Sequence, residues 1–373
     1  MSAYGKSSVG EGHVESAAER AARAGWGLSA ASIHWGKRAA ASKPVAITKR
    51  DRRLLELLHD VNYLSSSQMA LLGWSGDSSA ARRRLRLLHD HGLIDKFRPA
   101  APAGSFEWNY RLTLEGAQLL QDFGISPEGK PYTPAEIHSI SYVEHDLQVN
   151  ALVLDIAHRA RTQEGPLLDA MPFRWHGPRS GEIDPREEPR PEEVSDFRSR
   201  LTHFFHGSSR EGVIKPDATI VLGGADPAFA VLIEFDRTGR PHKQMDRLRR
   251  YDWFLNEGWT EGRFAHHPIA PAMVLITLHE GTLRKLAQAA DEALTASRGH
   301  RDSDNYARAY LGRSRVLFTT RERILAGDFR MLRVPMHPPE MRKGDRPFPP
   351  HEIEYDLAAL ATQAAAGAAP EDI

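Results

Sequence analysis

Apolar positions in residues 44–124 recur first with a helical period and then in short extended runs. The predicted helices cover 48–60, 66–72, 78–91 and 114–123. Thr48 and Asp77 stand where the N-caps of the first and third helices are expected. Gly92 stands where the third helix should stop. The pattern therefore predicts a small helical unit with well-defined helix ends.

Two extended segments follow the third helix, at 93–99 and 105–113, and a turn rich in proline, alanine and glycine joins them. Three helices followed by a strand, a loop and a second strand form the order of a winged helix-turn-helix. We therefore predict this fold for residues 44–124, with the loop as the wing.

Beyond residue 138 the chain alternates between amphipathic and strongly apolar stretches. Helices are predicted over 141–161, 242–256, 281–297 and 321–325, and strands over 168–175, 214–222, 229–235, 273–278, 315–320 and 329–335. This alternation predicts a mixed α/β sheet covered by helices. The expected fold class is therefore α+β, in two domains.

Shifts in composition set the predicted domain boundaries. The N-terminal end is rich in alanine, glycine, serine and charge, which is typical of a mobile arm, and the C-terminal end is of low complexity and is expected to carry no site. The expected organisation is an N-terminal arm (1–43), the winged-helix domain (44–124), a linker (125–137), an α/β domain (138–340) with a polar insertion (176–212), and a C-terminal tail (341–373).

Three carboxylates fall on or beside the hairpin predicted by the strands 214–222 and 229–235. Glu234 and Asp236 are two residues apart and share a face of one strand, and Asp217 can meet them from the other. Oxygen ligands of this kind suit Mg²⁺ or Mn²⁺, so these acids are candidate metal-binding and catalytic residues. The alternative is that they are strand-end acids paired with nearby arginines.

The same residues carry a resemblance. Pro216 and Asp217, followed by Glu234 and Asp236, resemble the PD-(D/E)xK nuclease pattern found in restriction enzymes and resolvases. The resemblance implies a restriction-endonuclease-like fold for the α/β domain and metal-dependent cleavage of DNA. The last position of the pattern is lysine in active members and is Asp236 here.

The nuclease resemblance also implies roles for residues on the helices before and after the hairpin. Some relatives carry the basic group on the following helix, where Lys243 or Arg247 would orient the attacking water or the phosphate. The first helix of the fold often supplies a carboxylate, which makes Glu144 or Asp146 a further candidate metal ligand. His145 is expected to be a cap or a buried hydrogen-bonding residue.

A polar stripe on the third predicted helix suggests contact with DNA. Its serine and arginines recur at i, i+3, i+4 and i+7, opposite the apolar face. The arginine fork binds a phosphate or a guanine edge with two hydrogen bonds, and basic residues on the extended segments would add phosphate contacts. The alternative is an ordinary solvated face. The candidate DNA-binding residues are Ser79, Arg82, Arg83, Arg86, Lys96, Arg98 and Arg111.

A second resemblance extends over the whole chain. The winged-helix-like first half, the segment EHDLQVN at 144–150, the later PDA and ExDR motifs and a helix ending in RLRRY resemble the replication-relaxation family. That family occurs on bacterial plasmids and other mobile elements. The resemblance implies a role with DNA, in plasmid replication or relaxation.

Composition narrows the classes of function. The 373 residues include no cysteine, which excludes disulfides and thiolate metal sites. Net charge is zero, but residues 36–100 hold thirteen Lys or Arg against six Asp or Glu, a local surplus that favours nucleic acid as a partner. The sequence shows no apolar signal or membrane-spanning run, so a cytoplasmic location is expected.

The expected function is therefore that of a DNA-binding protein of a plasmid or mobile element, with Mg²⁺-dependent endonuclease or nickase activity. The alternatives are a non-catalytic replication accessory and a transcriptional regulator with a degenerate nuclease fold. Expected partners are double-stranded DNA, a second copy of the chain, and replication or transfer proteins.

Overall fold

Helices and two β-sheets form a mixed α+β structure. The computed structural model describes residues 33–40, 44–99, 106–125, 132–137, 139–183, 213–223, 229–256, 258–294, 311–335 and 349–365.

The elements follow the predicted order closely. The helices are α1 (Lys49–Val61), α2 (Ser66–Trp74), α3 (Ser78–Asp90), α4 (Leu114–Asp122), α5 (Ile140–Ala160), α6 (Pro241–Asn256), α7 (Glu280–Ala293), α8 (Leu311–Ser314), α9 (Arg321–Ala326) and α10 (Leu357–Ala365). The strands are β1 (Ile33–Trp35), β2 (Leu64–Ser65), β3 (Ile94–Pro99), β4 (Asn109–Leu112), β5 (Arg174–His176), β6 (Ala218–Leu222), β7 (Phe229–Asp236), β8 (Ala272–Thr277), β9 (Val316–Thr320), β10 (Arg330–Arg333) and β11 (His351–Glu354). Within the described ranges, no helix is long and apolar enough to span a membrane.

The N-caps predicted for α1 and α3 are confirmed. Thr48 accepts a hydrogen bond from the amide of Asp51 (3.2 Å) and donates its own amide to Asp51 (2.7 Å), which forms a capping box. Asp77 accepts hydrogen bonds from the amides of Ser79 (2.9 Å) and Ala80 (3.1 Å). Both helices therefore begin at residues fixed by local hydrogen bonds.

Arg84 ties α3 to α1. Its Nε donates to Asp51 Oδ1 (2.9 Å), a second nitrogen pairs with Asp51 Oδ2, and the same nitrogen donates to the carbonyl of Ala46 (2.6 Å). Asp51 is 1% exposed. Burial opposes its charge, but hydrogen bonds from Arg84 and Thr48 hold its pKa below the ordinary value. This buried pair sets the rotation of α3 and hence which of its arginines face solvent.

The first sheet has the strand order β1-β3-β4-β2, and all its neighbouring strands are antiparallel. The prediction of a mobile arm over 1–43 is wrong for its end, because Ile33–Trp35 form β1 and pair with β3. These β-branched and aromatic residues satisfy the free edge of β3. Residues 1–32 lie outside the described part of the chain.

The second sheet has the order β11-β10-β9-β8-β7-β6-β5, with β7, β8 and β9 parallel and the other neighbours antiparallel. The prediction of a mixed sheet covered by helices is confirmed. The strand predicted over 168–175 is wrong in extent, because only Arg174–His176 pair with β6. The amide of Leu168 instead donates to Leu72 in α2 (3.0 Å), and Pro172 has no amide hydrogen to offer a neighbouring strand.

The predicted C-terminal tail contains ordered elements. His351–Glu354 form β11 on the edge of β10, and α10 packs on α5 with Ala361 fully buried. Alanine favours helix and allows two helices to approach closely, so this low-complexity composition supports a packed helix here. The tail prediction is therefore wrong for residues 349–365.

One hydrophobic cluster joins the two predicted domains. It contains Leu54 and Leu85 from the first helices, Val153 from α5 and Ile233 from β7. A second cluster lies on the opposite face of the second sheet, under α6 and α7. The first-sheet unit and the second sheet are thus packed against each other through α5.

Two segments predicted as connections also pack on folded elements. In the predicted linker, the hydroxyl of Tyr132 donates to the carbonyl of Leu112 (2.8 Å). At the start of the predicted insertion, Asp60 of α1 accepts the amides of Gly177 (2.7 Å) and Ser180 (2.8 Å). Residues 126–131 and 184–212 lie outside the described part of the chain.

Candidate functional site

The predicted acidic hairpin is confirmed as β6 and β7, with Ala218 opposite Ile233. Glu234 and Asp236 lie on β7, as predicted. Asp217 lies one residue before β6 rather than within a strand, because the proline before it has no amide hydrogen for the ladder. Its own amide still donates to the carbonyl of Ile233 (2.9 Å), which keeps Asp217 beside β7.

Glu234 is 1% exposed and lies beneath α6. One of its carboxylate oxygens accepts a hydrogen bond from Arg247 (2.6 Å) and the other accepts one from the hydroxyl of Tyr251 (2.7 Å). Burial and the nearby charge of Asp217 raise the pKa of Glu234 to about 8, against the opposing effect of Arg247. Both oxygens of this buried carboxyl group therefore already have donors from the protein.

Asp217 is paired with His145 of α5. The Nε2 atom of His145 is 3.3 Å from Asp217 Oδ2 and 3.0 Å from the carbonyl oxygen of Phe235, while Nδ1 is 3.4 Å from Asp146. The amide of Phe235 also donates to Asp217 (2.7 Å). Burial opposes a charge on His145, but hydrogen bonds to Asp146 and Asp217 raise its pKa to about 10. His145 is therefore a cation at neutral pH and a hydrogen-bonding residue, as expected.

Asp236 closes the turn between β7 and α6. It accepts hydrogen bonds from the amide (2.9 Å) and hydroxyl (2.8 Å) of Thr238 and from the amide of Gly239 (3.2 Å). Aspartate commonly stabilises turns in this way. Asp236, which stands at the lysine position of the nuclease pattern, therefore stabilises this turn through its hydrogen bonds. Lys243 lies in the first turns of α6, and its side chain is outside the described part of the structure.

The two candidate acids of α5 have separate contacts. Glu144 Oε2 is 3.6 Å from one terminal guanidinium nitrogen of Arg237. The other terminal nitrogen of Arg237 donates to the carbonyl of Ser141 (2.7 Å). Asp146 accepts a hydrogen bond from Asn62 (3.1 Å) in addition to its contact with His145. These contacts tie α5 to the turn after β7 and to the end of α1.

These side chains do not fit a Mg²⁺ or Mn²⁺ site as they are arranged. A divalent cation requires several oxygen ligands around one point. Here Arg247, Tyr251 and His145 supply the donors to Glu234 and Asp217, and a metal ion would have to displace them. Across the described ranges, no three acids or histidines are grouped so as to hold a metal ion. The arrangement fits an ion-pair network between α5, the hairpin and α6.

Sequence reasoning missed two members of this network. Tyr251 follows Arg247 by four residues, and this helical spacing is the signal that could have placed both side chains on one face of α6. Arg237 directly follows Asp236, but its contact with Glu144 depends on the packing of α5. No local pattern in the sequence indicates that contact.

The candidate DNA-binding residues of α3 lie together on its exposed side. We call Ser79, Arg82, Arg83 and Arg86 the arginine face; all four are exposed. Arg82 donates within its own helix, to the carbonyl (2.9 Å) and hydroxyl (3.1 Å) of Ser78. In the described ranges, no carboxylate forms an ion pair with any of the three arginines. Their positive charge therefore faces solvent.

The three basic residues of the β3–β4 hairpin divide into two groups. Lys96 and Arg98 are half-buried and lie over the ring of Trp108, at 5.1 Å and 4.5 Å from its centroid. Arg111 pairs with Asp95 (3.2 Å) and donates to the carbonyl of Ala135 (2.7 Å). Arg111 thus makes its polar contacts within the protein, whereas Lys96 and Arg98 remain available at the surface.

Comparison with known proteins gives one match. A sequence model of the family described as replication-relaxation matches residues 55–268, which is more than half of the chain. The match spans the arginine face of α3, the acids of α5 and the whole acidic hairpin with α6. No curated protein and no solved structure matches the chain significantly. The chain belongs to the replication-relaxation family.

Proposed function

We propose that this protein binds double-stranded DNA of a plasmid or other mobile element as a non-catalytic factor in replication or relaxation. In this proposal α3 and the β3–β4 hairpin contact the DNA. The second sheet, with its acidic hairpin, forms a degenerate nuclease-like platform that supports them. The observation that carries the proposal is the exposed arginine face of α3, whose arginines have no acidic partner among the described residues.

The charges of α3 favour DNA as the ligand. Arg82, Arg83 and Arg86 present three guanidinium groups along about one turn of one helix, and Arg84 is directed away to Asp51. Arginine forks bind phosphates and guanine edges with paired hydrogen bonds. An exposed helix face with three such groups has the charge and shape needed to enter a major groove.

The arrangement around α3 supports a winged helix-turn-helix. Three helices precede the β3–β4 hairpin, β2 pairs with β4, and α4 closes the unit. Helix α3 packs on α2 and on β3, so the arginine face and the hairpin belong to one rigid surface. In a winged helix, the third helix enters the groove and the hairpin contacts the backbone.

The order of elements in the second sheet supports a nuclease-like ancestry. Helix α5, strand β5, the hairpin β6–β7, helix α6 and the parallel strand β8 follow one another, an order compatible with the restriction-endonuclease-like fold that the PD-(D/E)xK resemblance implies. The contacts of Glu234 with Arg247 and Tyr251 favour a structural role for the acids over cleavage. We propose residues 125–137 as the boundary between the winged-helix unit and the nuclease-like unit. We also propose that the protein acts in the cytoplasm.

Duplex binding with a steep dependence on salt is the expected result for the purified protein. Fluorescence anisotropy of a labelled duplex, measured from about 50 to about 200 mM salt, should show log Kd rising with log salt, with a slope of about 0.9 for each phosphate neutralised. With three arginines on α3 and two basic residues on the hairpin, five phosphate contacts give an expected slope of about 4.5. Absence of binding at the lowest salt would contradict the proposal.

A further inference from the structure

The β3–β4 hairpin carries a row of aromatic and basic side chains, and contacts with duplex phosphates use the charges of this row but not its rings. His34 of β1 stands opposite Arg98 of β3 in the sheet register. The rings of His34 and Trp108 lie 5.8 Å apart, and the guanidinium of Arg98 is 4.5 Å from the centroid of Trp108. Lys96, two residues before Arg98, adds its ammonium 5.1 Å from the same ring.

The row lies on the side of the sheet that faces α3. Side chains two residues apart on a strand share a face, so Ile94 points to the same side as Lys96 and Arg98. Ile94 is fully buried in the cluster that includes Leu85 of α3. The row is therefore the outward continuation of the surface from which the arginine face projects.

The chemistry of the row suits one ligand in particular. In the described ranges, no carboxylate forms an ion pair with Lys96 or Arg98. Their positive charge can therefore bind phosphates, while the exposed ring of His34 and the guanidinium plane of Arg98, which Trp108 supports from below, offer flat surfaces for stacking. Bases in duplex DNA are already stacked inside the helix, whereas unpaired bases expose their faces. Alternating aromatic and basic groups are the usual surface for single-stranded nucleic acid.

We propose that His34, Arg98 and Trp108, together with Lys96, form a platform that holds an unpaired DNA strand beside the duplex gripped by α3. This inference rests on the proposed function, because the duplex places the unpaired strand at the platform. It makes the junction between duplex and single strand the preferred substrate of the protein.

The test compares a blunt duplex with the same duplex carrying a short single-stranded overhang, both labelled and followed by fluorescence anisotropy. We expect the wild-type protein to bind the overhang substrate about 10-fold more tightly, the scale of one base stacked on an aromatic ring. Trp108→Leu keeps apolar volume without an aromatic ring and should lose the preference. Trp108→Phe keeps a ring and should retain it.

Trp35 supplies a matched control. It lies next to His34 in β1 and therefore faces the other side of the sheet, where it contacts Phe97 and is 41% exposed. Trp35→Leu should keep the overhang preference. The platform proposal would be wrong if the wild type bound the blunt and overhang duplexes equally, or if Trp108→Leu kept the preference for the overhang. Either result would leave the proposal of duplex binding intact. Failure of the wild type to bind either substrate would overturn the proposed function and the platform together.

Discussion

Replacing Arg82 and Arg86 together by alanine is expected to weaken duplex binding by about 100-fold at low salt. Both guanidinium groups are exposed on one face of α3 and have no acidic partner in the described ranges, so the variant loses phosphate contacts together with the hydrogen bonds of Arg82 to Ser78 in its own helix. The slope of log Kd against log salt should fall by about 2, since each phosphate contact contributes about 0.9. Anisotropy titrations of the same duplex across a salt series measure both quantities.

The control for this variant removes the same charge elsewhere. Arg249 on α6 and Arg284 on α7 are exposed, and both lie on helices that cover the second sheet. Arg249→Ala with Arg284→Ala should leave the affinity within about 2-fold of wild type. If the control weakens binding as much as the α3 variant, net charge rather than the arginine face carries the binding.

Replacing Arg247 by methionine is expected to destabilise the fold, and the cost should grow with pH. The carboxyl of Glu234 has a folded pKa of about 8, above its ordinary value of 4.5, so the folded state holds a proton that the unfolded state loses between these two pH values. Stability therefore falls as pH rises through this window and levels off once Glu234 ionises beside Arg247. Without Arg247 the folded pKa rises further, and the decline continues above pH 8.

The predicted difference between wild type and Arg247→Met is therefore small near pH 6 and reaches about 1 kcal/mol near pH 9, because pH 9 lies about one unit above the folded pKa at which wild type levels off. Urea denaturation near pH 6 and near pH 9 measures this difference in the free energy of unfolding. Arg249→Met removes a surface arginine from the same helix and should change stability by less than about 0.5 kcal/mol. A cost that does not depend on pH would contradict the assigned role of the Glu234–Arg247 pair.

Features set by neighbouring residues could be predicted from the sequence. The caps Thr48 and Asp77 act within three residues of their partners, and their hydrogen bonds form as the pattern indicates. Strands β6 and β7 are two apolar runs separated by a short segment with glycine and proline, which predicts the hairpin that the structure shows. Local information was sufficient for these elements because few other chain segments compete for the same bonds.

Pairings between distant segments could not be predicted. Ile33 pairs with Pro99, and Arg333 pairs with His351, across parts of the chain whose composition resembles linker or tail. Whether such a segment becomes a strand depends on a free sheet edge elsewhere in the fold. Propensity within the segment carries little of that information.

The acidic hairpin combines a feature that the sequence predicts with side-chain contacts that it does not. The spacing of Glu234 and Asp236 placed them on one strand correctly, but their contacts depend on α5 and α6, which supply His145 and Tyr251. Arg84 shows the same limit on α3, because it stands within a run of arginines and yet turns inward to Asp51. Side-chain partners across packed helices require the tertiary arrangement.

The most direct test of the central claim, duplex binding without cleavage, uses supercoiled plasmid incubated with the purified protein. Separate samples contain Mg²⁺, Mn²⁺ or a chelator, and a gel resolves shifted, nicked, linear and relaxed DNA. The account predicts retarded plasmid that stays supercoiled after removal of the protein in all three conditions. Nicked or linear DNA that appears with metal and disappears in Glu234→Ala would contradict it and establish a nuclease.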